Sequence, residues 1–88
     1  MSLTVNLYYT GTNGSARAFA GEMEKSGLAA AVRAEDGNER YEYFFPMDDL
    51  ETVLLIDCWR DQEALDRYHA SPMMRSIAAL RVRFLIHL

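Results

Sequence analysis

Cysteine is almost absent from this chain, because Cys58 is the only one among 88 residues. A single cysteine can form neither an intramolecular disulfide nor a cysteine-based metal cluster within one chain, and such usage is typical of a reducing compartment. The N-terminal residues also lack the charged segment and apolar core of a secretory signal. The sequence therefore predicts a cytoplasmic protein.

Long apolar runs and an excess of basic charge are missing as well. No run approaches the roughly 20 apolar residues needed to span a bilayer, which argues against a membrane partner. Nine basic residues stand against thirteen acidic ones, so we expect no cationic surface able to neutralise phosphates and no nucleic-acid partner. His69 and His87 are isolated in sequence, a pattern that does not predict a metal site. We also expect no cofactor.

The composition is that of one small globular domain covering residues 1–88. Hydrophobic residues make up 50% and charged residues 25% of the chain, a balance that argues against disorder. A domain this short with so much apolar surface is expected to leave part of it uncovered unless it associates. Homodimerisation is therefore predicted from size and composition.

The first third of the chain has the pattern of a strand followed by a helix. Residues 3–10 alternate between apolar and polar side chains, which predicts a strand with one apolar face. After the turn residues 11–15, apolar side chains recur at helical spacing from Ala16 to Ala30. The sequence predicts one continuous helix there.

The rest of the chain predicts a hairpin, two short helices and a last strand. The aromatic run 41–45, ended by Pro46, and the apolar run 53–59 are typical of paired strands. Asp61 is suited to cap a second helix, and Pro72 to lie in the first turn of a third. Alternation from Val82 to Leu88 predicts the final strand.

The element order βαββαβ indicates an α+β fold of the ferredoxin-like type. Right-handed crossovers give an antiparallel four-stranded sheet with the helices on one face. The other face then needs a cover, because it also carries apolar side chains. A second subunit placed there would complete a dimeric α/β barrel.

The segment from Glu35 to Ala79 carries a resemblance to a known family. In order it contains Asp36-Gly37, Arg40-Tyr41-Glu42-Tyr43, the run from Val53 to Trp59, Asp61-Gln62-Glu63-Ala64-Leu65 and Ser71-Pro72. This ordered set resembles the antibiotic-biosynthesis monooxygenases of the dimeric α/β-barrel superfamily. The resemblance implies a homodimer with a pocket between the sheet and the helices of each subunit.

The resemblance also implies a reaction that needs neither a metal nor a flavin. Members of this family include oxygenases that act on phenols or quinols with molecular oxygen. A deprotonated phenol can pass an electron to oxygen itself, so the protein has to bind, desolvate and stabilise the anion. Other members degrade haem or have no known reaction, and fold is therefore better constrained than activity.

Three residues are the catalytic candidates, two of which the resemblance implies directly. Trp59 matches the family's functional tryptophan, and Asn6 lies on the first strand, where relatives place an asparagine. The family's histidine after the Ser/Thr-Pro pair is replaced here by Met73, which leaves His69, four residues earlier, as the nearby candidate for acid-base chemistry. For each residue a purely structural role is the alternative: core packing for Trp59, and surface positions for Asn6 and His69.

The expected substrate-binding residues are aromatic and apolar. They are Tyr8, Tyr43, Tyr68, Met73 and Ile77. Aromatic rings suit a planar ligand and methionine forms an adaptable wall, although the same residues also suit an ordinary core.

Asp57 is the one carboxylate in an apolar strand, on the same face as Trp59. A charge there needs a partner, and Arg81 or Arg83 on the predicted last strand is the expected one. An unpaired Asp57 inside the pocket would instead be a candidate base.

The sequence thus supports three hypotheses. The first is a cofactor-independent monooxygenase-like enzyme acting on a small phenolic or quinol substrate and molecular oxygen. The second is a non-catalytic barrel that binds an apolar metabolite, which the loss of the histidine at Met73 favours. The third is a haem-binding protein, which His69 and His87 do not support by position.

Overall fold

Three strands form an antiparallel sheet in the computed structural model, which describes residues 1–88. They are β1 (Leu3–Thr10), β2 (Asn38–Phe44) and β3 (Thr52–Trp59), in the order β1-β3-β2. Four helices complete the fold: α1 (Ser15–Lys25), α2 (Leu28–Arg33), α3 (Gln62–His69) and α4 (Met73–Arg83). No helix has the length and apolar character required to cross a bilayer.

The alternation in β1 and β3 assigns one sheet face to the helices and one to solvent. In β3 the residues at odd positions from Val53 to Trp59 are buried, and those at even positions are half-buried. The pairing of Val5 and Tyr41 with Asp57 brings the odd positions of β1 and β3 to the helix side, together with Tyr41 and Tyr43 of β2. The core therefore lies between this face and the helices, as the predicted α+β fold requires.

The helix predicted from Ala16 to Ala30 is two helices in the structure. Gly27 has φ of 87°, a left-handed conformation that suits glycine and ends a helix. Its N–H donates to the carbonyl oxygen of Glu24, and α2 begins at the next residue. The apolar spacing continues across Gly27 because both helices pack on the same core.

The predicted fourth strand is wrong, and α4 occupies its first residues. The helix continues to Arg83, where Ile77, Leu80 and Phe84 repeat at helical spacing and contact the core. Leu85 then adopts φ of 55° and turns the chain away from the helix axis. The tail reaches the sheet at a single bridge between Thr10 and His87. The sheet has three strands, and the ferredoxin-like class stands.

The remaining expectations for local structure hold in part. Asp61 caps α3 as expected, because its carboxylate accepts a hydrogen bond from the Ala64 N–H at 2.9 Å. Pro72 precedes α4, but the Ser71 hydroxyl donates to the Tyr68 carbonyl oxygen at 2.7 Å instead of capping that helix. The turn before β2 depends on Gly37, where a Cβ would lie 2.5 Å from the Ala64 Cβ.

Candidate active site

Four tyrosines converge on the helix-covered face of the sheet, and we call them the tyrosine cluster. They are Tyr9 from β1, Tyr41 and Tyr43 from β2, and Tyr68 from α3. The Tyr41 and Tyr43 hydroxyl oxygens lie 3.2 Å apart, and their rings pack edge to face with centroids 5.7 Å apart. Burial raises the pKa of all four hydroxyls. The cluster is thus a group of neutral hydroxyls enclosed in an apolar core.

Asp57 lies in this core and is its only polar or charged residue apart from the tyrosines. It is 4% exposed, and the only side chain that hydrogen-bonds its carboxylate is the Asn38 amide, at 3.5 Å. Burial raises the pKa of Asp57 to about 6, while the nearby Trp59 and Asn38 N–H groups lower it by smaller amounts. Charging a carboxylate in such a place is costly without a cation.

The expected ion pair between Asp57 and an arginine does not form. Arg81 Nη2 donates instead to the Tyr9 hydroxyl oxygen at 2.8 Å, and its guanidinium carbon lies 5.2 Å from the centre of the Tyr9 ring. Arg83 stacks on Phe84 at 5.1 Å. Both arginines are helical, so neither lies in a strand of the sheet, where the sequence prediction had placed both. Asp57 therefore has no cationic partner.

Two buried N–H groups near these residues have no acceptor. They are the indole Nε1 of Trp59 and the Nε of Arg81. The Trp59 ring stacks on Tyr68 with centroids 4.7 Å apart, so packing holds the indole in place. Its N–H is close enough to Asp57 to lower the pKa of that carboxyl but does not complete a hydrogen bond with it. Unsatisfied buried donors of this kind suit an incoming acceptor atom.

The structure brings most of the predicted substrate-binding residues together with Trp59. Tyr68 and Ile77 are buried in the same core cluster, and Tyr43 and Met73 are half-buried against it. Trp59 is fully buried there.

The other three predicted site residues lie outside this core. Asn6 and Tyr8 are exposed on the opposite sheet face, where they pair with Ile56 and Leu54. His69 is exposed at the end of α3, and its ring is 5.6 Å from that of Tyr68. The structure therefore does not bring Asn6 and Trp59 together.

No enclosed cavity separates the sheet from the helices, because aromatic rings fill that space. Two open grooves lie instead along β2. The larger, of about 500 Å³, lies between α1 and the end of β2 and is lined on one side by Tyr43, Phe44 and Phe45. The smaller, of about 280 Å³, is lined by Arg33 and residues 38–42. Tyr43 belongs both to the larger groove and to the tyrosine cluster.

Two members of the tyrosine cluster were not selected from the sequence. They are Tyr9 and Tyr41, which a hydroxyl and a position on the apolar face of a strand could have marked. No group of three or more histidine, cysteine or acidic side chains is arranged to hold a metal ion. The charged contacts elsewhere are exposed pairs, such as Arg33 with Glu24 and Arg60 with Asp36.

Comparison with known proteins identifies relatives of this fold. A family model described as antibiotic biosynthesis monooxygenase matches residues 2–80. SnoaB from Streptomyces nogalater, a cofactor-independent oxygenase, has a similar structure with a TM-score of 0.75 and 22% identity, over 90% of this chain and 78% of SnoaB. No curated protein sequence matches the chain.

Two further solved structures share the fold. PA3566 from Pseudomonas aeruginosa is 28% identical, with a TM-score of 0.74 over 88% of this chain and 76% of its own. A conserved protein from Methanosarcina mazei Go1 is 17% identical, with a TM-score of 0.81 over 94% of this chain and 80% of its own.

Proposed function

This chain belongs to the antibiotic biosynthesis monooxygenase family, and from that premise we propose that it is a cofactor-independent oxygenase of a small phenolic or quinol-type substrate. Asp57 is the base in this proposal. The observation that carries it is a buried carboxylate without a cation, whose pKa is raised to about 6. A base with a pKa near the working pH is best placed to accept a proton.

The reaction uses molecular oxygen as the oxidant and the substrate as the only electron source. Asp57 removes a proton from an activated carbon or phenol of the substrate, and the resulting anion adds to oxygen as a peroxide after electron transfer. The proton returns from Asp57 to the peroxide. The remaining hydrogen on the same carbon is then lost as a proton while the O–O bond breaks, so that the CH2 group becomes C=O and the released hydroxide takes up that proton and leaves as water. The protein contributes positioning, desolvation and charge stabilisation.

The unsatisfied Trp59 and Arg81 N–H groups are the proposed donors to the substrate anion. The substrate reaches Asp57 over Val5, its half-buried neighbour on β1. The Val5 side chain has to move, because no enclosed cavity is present beforehand. SnoaB, described as a cofactor-independent oxygenase, supports this reaction class.

Oxygen consumption with anthrones and hydroquinones tests the proposal. We expect Asp57→Asn to lower the rate by at least about 100-fold, the usual contribution of a general base. The matched control is Asp66→Asn, an exposed carboxylate on α3, which should keep the wild-type rate. With an anthrone, one oxygen molecule should be consumed per CH2 group converted to C=O. Equal rates for wild type and Asp57→Asn would contradict the assignment of the base.

A non-catalytic binding function is the second candidate, and the filled core favours it. In that case the larger groove, with Tyr43, Phe44 and Phe45 on one wall, would hold an apolar metabolite. Tight binding of an anthrone without oxygen consumption, weakened by Phe45→Ala but not by Asp57→Asn, would support this function instead.

We also propose that the chain is a cytoplasmic homodimer joined through the open sheet face. Leu54 and Ile56 are half-buried there, and the flanking Tyr8 and Phe44 are 59% and 38% exposed. Covering such a row of apolar side chains favours association. Ile56→Lys would place a charge at the centre of this face and should dissociate the dimer in sedimentation experiments.

A further inference from the structure

The pairing of β2 with β3 is irregular at one point, and this irregularity decides which side chain lies beside Asp57. The register shifts between Asn38 and Arg40. Glu39 is the extra residue there, and Asn38 pairs with Trp59. Because side chains alternate between the two faces of a strand, regular pairing would place Glu39 opposite Trp59 on the helix-covered face. The bulge brings Asn38 to that position instead, and bulges often re-aim a side chain next to an active site.

An amide at this position has a different effect on Asp57 from that of a carboxylate. Two carboxylates side by side in a buried site repel each other, and one of them would stay protonated. The Asn38 amide instead donates to Asp57 Oδ1 at 3.5 Å. Its other acceptors are the carbonyl oxygens of Arg40 at 3.4 Å and Cys58 at 3.5 Å. All three distances exceed the usual range of an N–H···O bond, so the amide can rotate without breaking a strong contact.

Asn38 also belongs to the smaller groove beside β2. That groove is open to water, and most of the residues that line it are charged. Asn38 is half-buried in its lining, whereas Asp57 on the adjacent strand is buried. One side chain therefore contacts the groove on one side and the carboxylate on the other. Rotation of the amide would bring water from the groove to Asp57.

We propose that Asn38 is the gate of a water and proton passage between Asp57 and the smaller groove. The passage opens at the β2 edge of the sheet, whereas the proposed substrate route over Val5 lies on the β1 side, and β3 separates these two edge strands. Water can therefore reach the carboxylate without passing the bound substrate. The inference rests on the proposed function, in which Asp57 is the base, and adds the route by which that base exchanges protons with solvent.

The passage serves two steps that a buried base requires. Before substrate binds, the protonated Asp57 carboxyl gives its proton to a water molecule of the groove, which becomes hydronium, and the carboxylate is ready to accept a proton from the substrate. The water formed when the O–O bond breaks leaves by the same route. With the Asn38 amide back in place, the substrate anion forms in a site from which water is excluded.

Two substitutions of Asn38 distinguish a gate from a simple hydrogen-bond donor. Asn38→Leu keeps a branched side chain of similar length but removes the donor, so the pKa of Asp57 should rise above its value of about 6. Asn38→Ala also removes the donor but opens the carboxylate to the groove. Since burial is the largest cause of the raised pKa, hydration should lower it by about one pH unit. Glu39→Ala is the matched control, because it shortens an exposed side chain of the same groove and should leave the pKa unchanged.

Nuclear magnetic resonance titration of the Asp57 carboxyl carbon, without substrate, measures these pKa values. The titratable side chains that face Asp57 are Tyr9 from β1, Tyr41 from β2 and Tyr68 from α3, and Arg81 of α4 is hydrogen-bonded to Tyr9. Burial raises the pKa of all three hydroxyls, so they stay neutral during the titration and do not disturb it. Circular dichroism establishes that each variant folds.

Opposite pKa shifts in Asn38→Leu and Asn38→Ala would support the gate. Shifts in the same direction, or an unchanged pKa in Asn38→Ala, would overturn it. Should Asn38→Ala fail to fold, Asn38→Ser opens the same gap and should give the same lowering.

Hydrogen exchange of the Trp59 indole N–H provides a second readout. This group is buried without an acceptor and lies opposite Asn38, so it should exchange faster in Asn38→Ala than in the wild type or in Asn38→Leu. Equal exchange in all three proteins would also overturn the proposal. Neither readout depends on turnover: if Asp57→Asn kept the wild-type rate of oxygen consumption, the base assignment would fail while the opposite pKa shifts would remain.

Discussion

Replacing Asp57 with asparagine should stabilise the protein at neutral pH, because it removes a buried charge. The pKa of Asp57 is raised from 3.8 to about 6 by burial. The folded state therefore binds more protons than the unfolded state between those two values, and stability falls as the pH rises through that window. The difference between the two pKa values corresponds to a loss of at most about 3 kcal/mol in the free energy of unfolding above pH 6. Asparagine has nearly the same shape and carries no charge to bury.

Urea unfolding of wild type and Asp57→Asn from pH 4 to pH 8 measures this effect. We expect the variant to be more stable by about 1–3 kcal/mol at pH 7 and to match the wild type more closely at pH 4. The proposed function adds that oxygen consumption should fall at the same time, because the variant lacks the proposed base.

Asp61→Asn is a control for which the expected change in stability at pH 7 has the opposite sign. The Ala64 N–H, and to a smaller extent Arg60, lower the pKa of Asp61. Its stabilising contribution is therefore present above its ordinary pKa and is lost as the pH falls, so this variant should be less stable at pH 7. If Asp57→Asn were also less stable at pH 7, with the loss growing above pH 6, the carboxylate would be a paired structural charge and the reasoning would be refuted.

Three further substitutions test other contacts. Gly27→Ala should lower the free energy of unfolding by about 1–2 kcal/mol, because alanine is strained at positive φ. Gly37→Ala should lower it distinctly more, since its Cβ would also overlap the Ala64 Cβ. Equal losses in the two variants would count against that overlap. Tyr9→Phe removes the acceptor of Arg81 Nη2 and should cost about 1–3 kcal/mol. A neutral Tyr9→Phe variant would show that the guanidinium finds another partner.

The sequence was informative wherever local periodicity and burial agree. Alternation in residues 3–10 and the apolar run 53–59 predicted both strands, and Asp61 was correctly assigned as a helix cap. The sequence was misleading at the end of the chain, where the apolar residues of 82–88 fit the spacing of a strand as well as that of a helix. In the structure the chain is helical as far as Arg83, because Ile77 and Leu80 pack on the core.

The candidate site was harder to predict because it depends on which strand faces come together. Trp59, Tyr43 and Tyr68 could be selected from residue type and family position. The parity of β1, however, places Asn6 on the face opposite to Trp59, and only the pairing register reveals this. The unpaired state of Asp57 likewise followed from the helical conformation of Arg81 and Arg83, which sequence reasoning had assigned to a strand.

The most direct measurement of the central claim is the titration of the Asp57 carboxyl carbon by nuclear magnetic resonance, assigned by its loss in Asp57→Asn. A base held without a cation in the tyrosine cluster should titrate with a midpoint near pH 6, as its burial requires. A midpoint at or below 4 would mean that Asp57 is a stably charged, partnered residue, and it would contradict the proposed base.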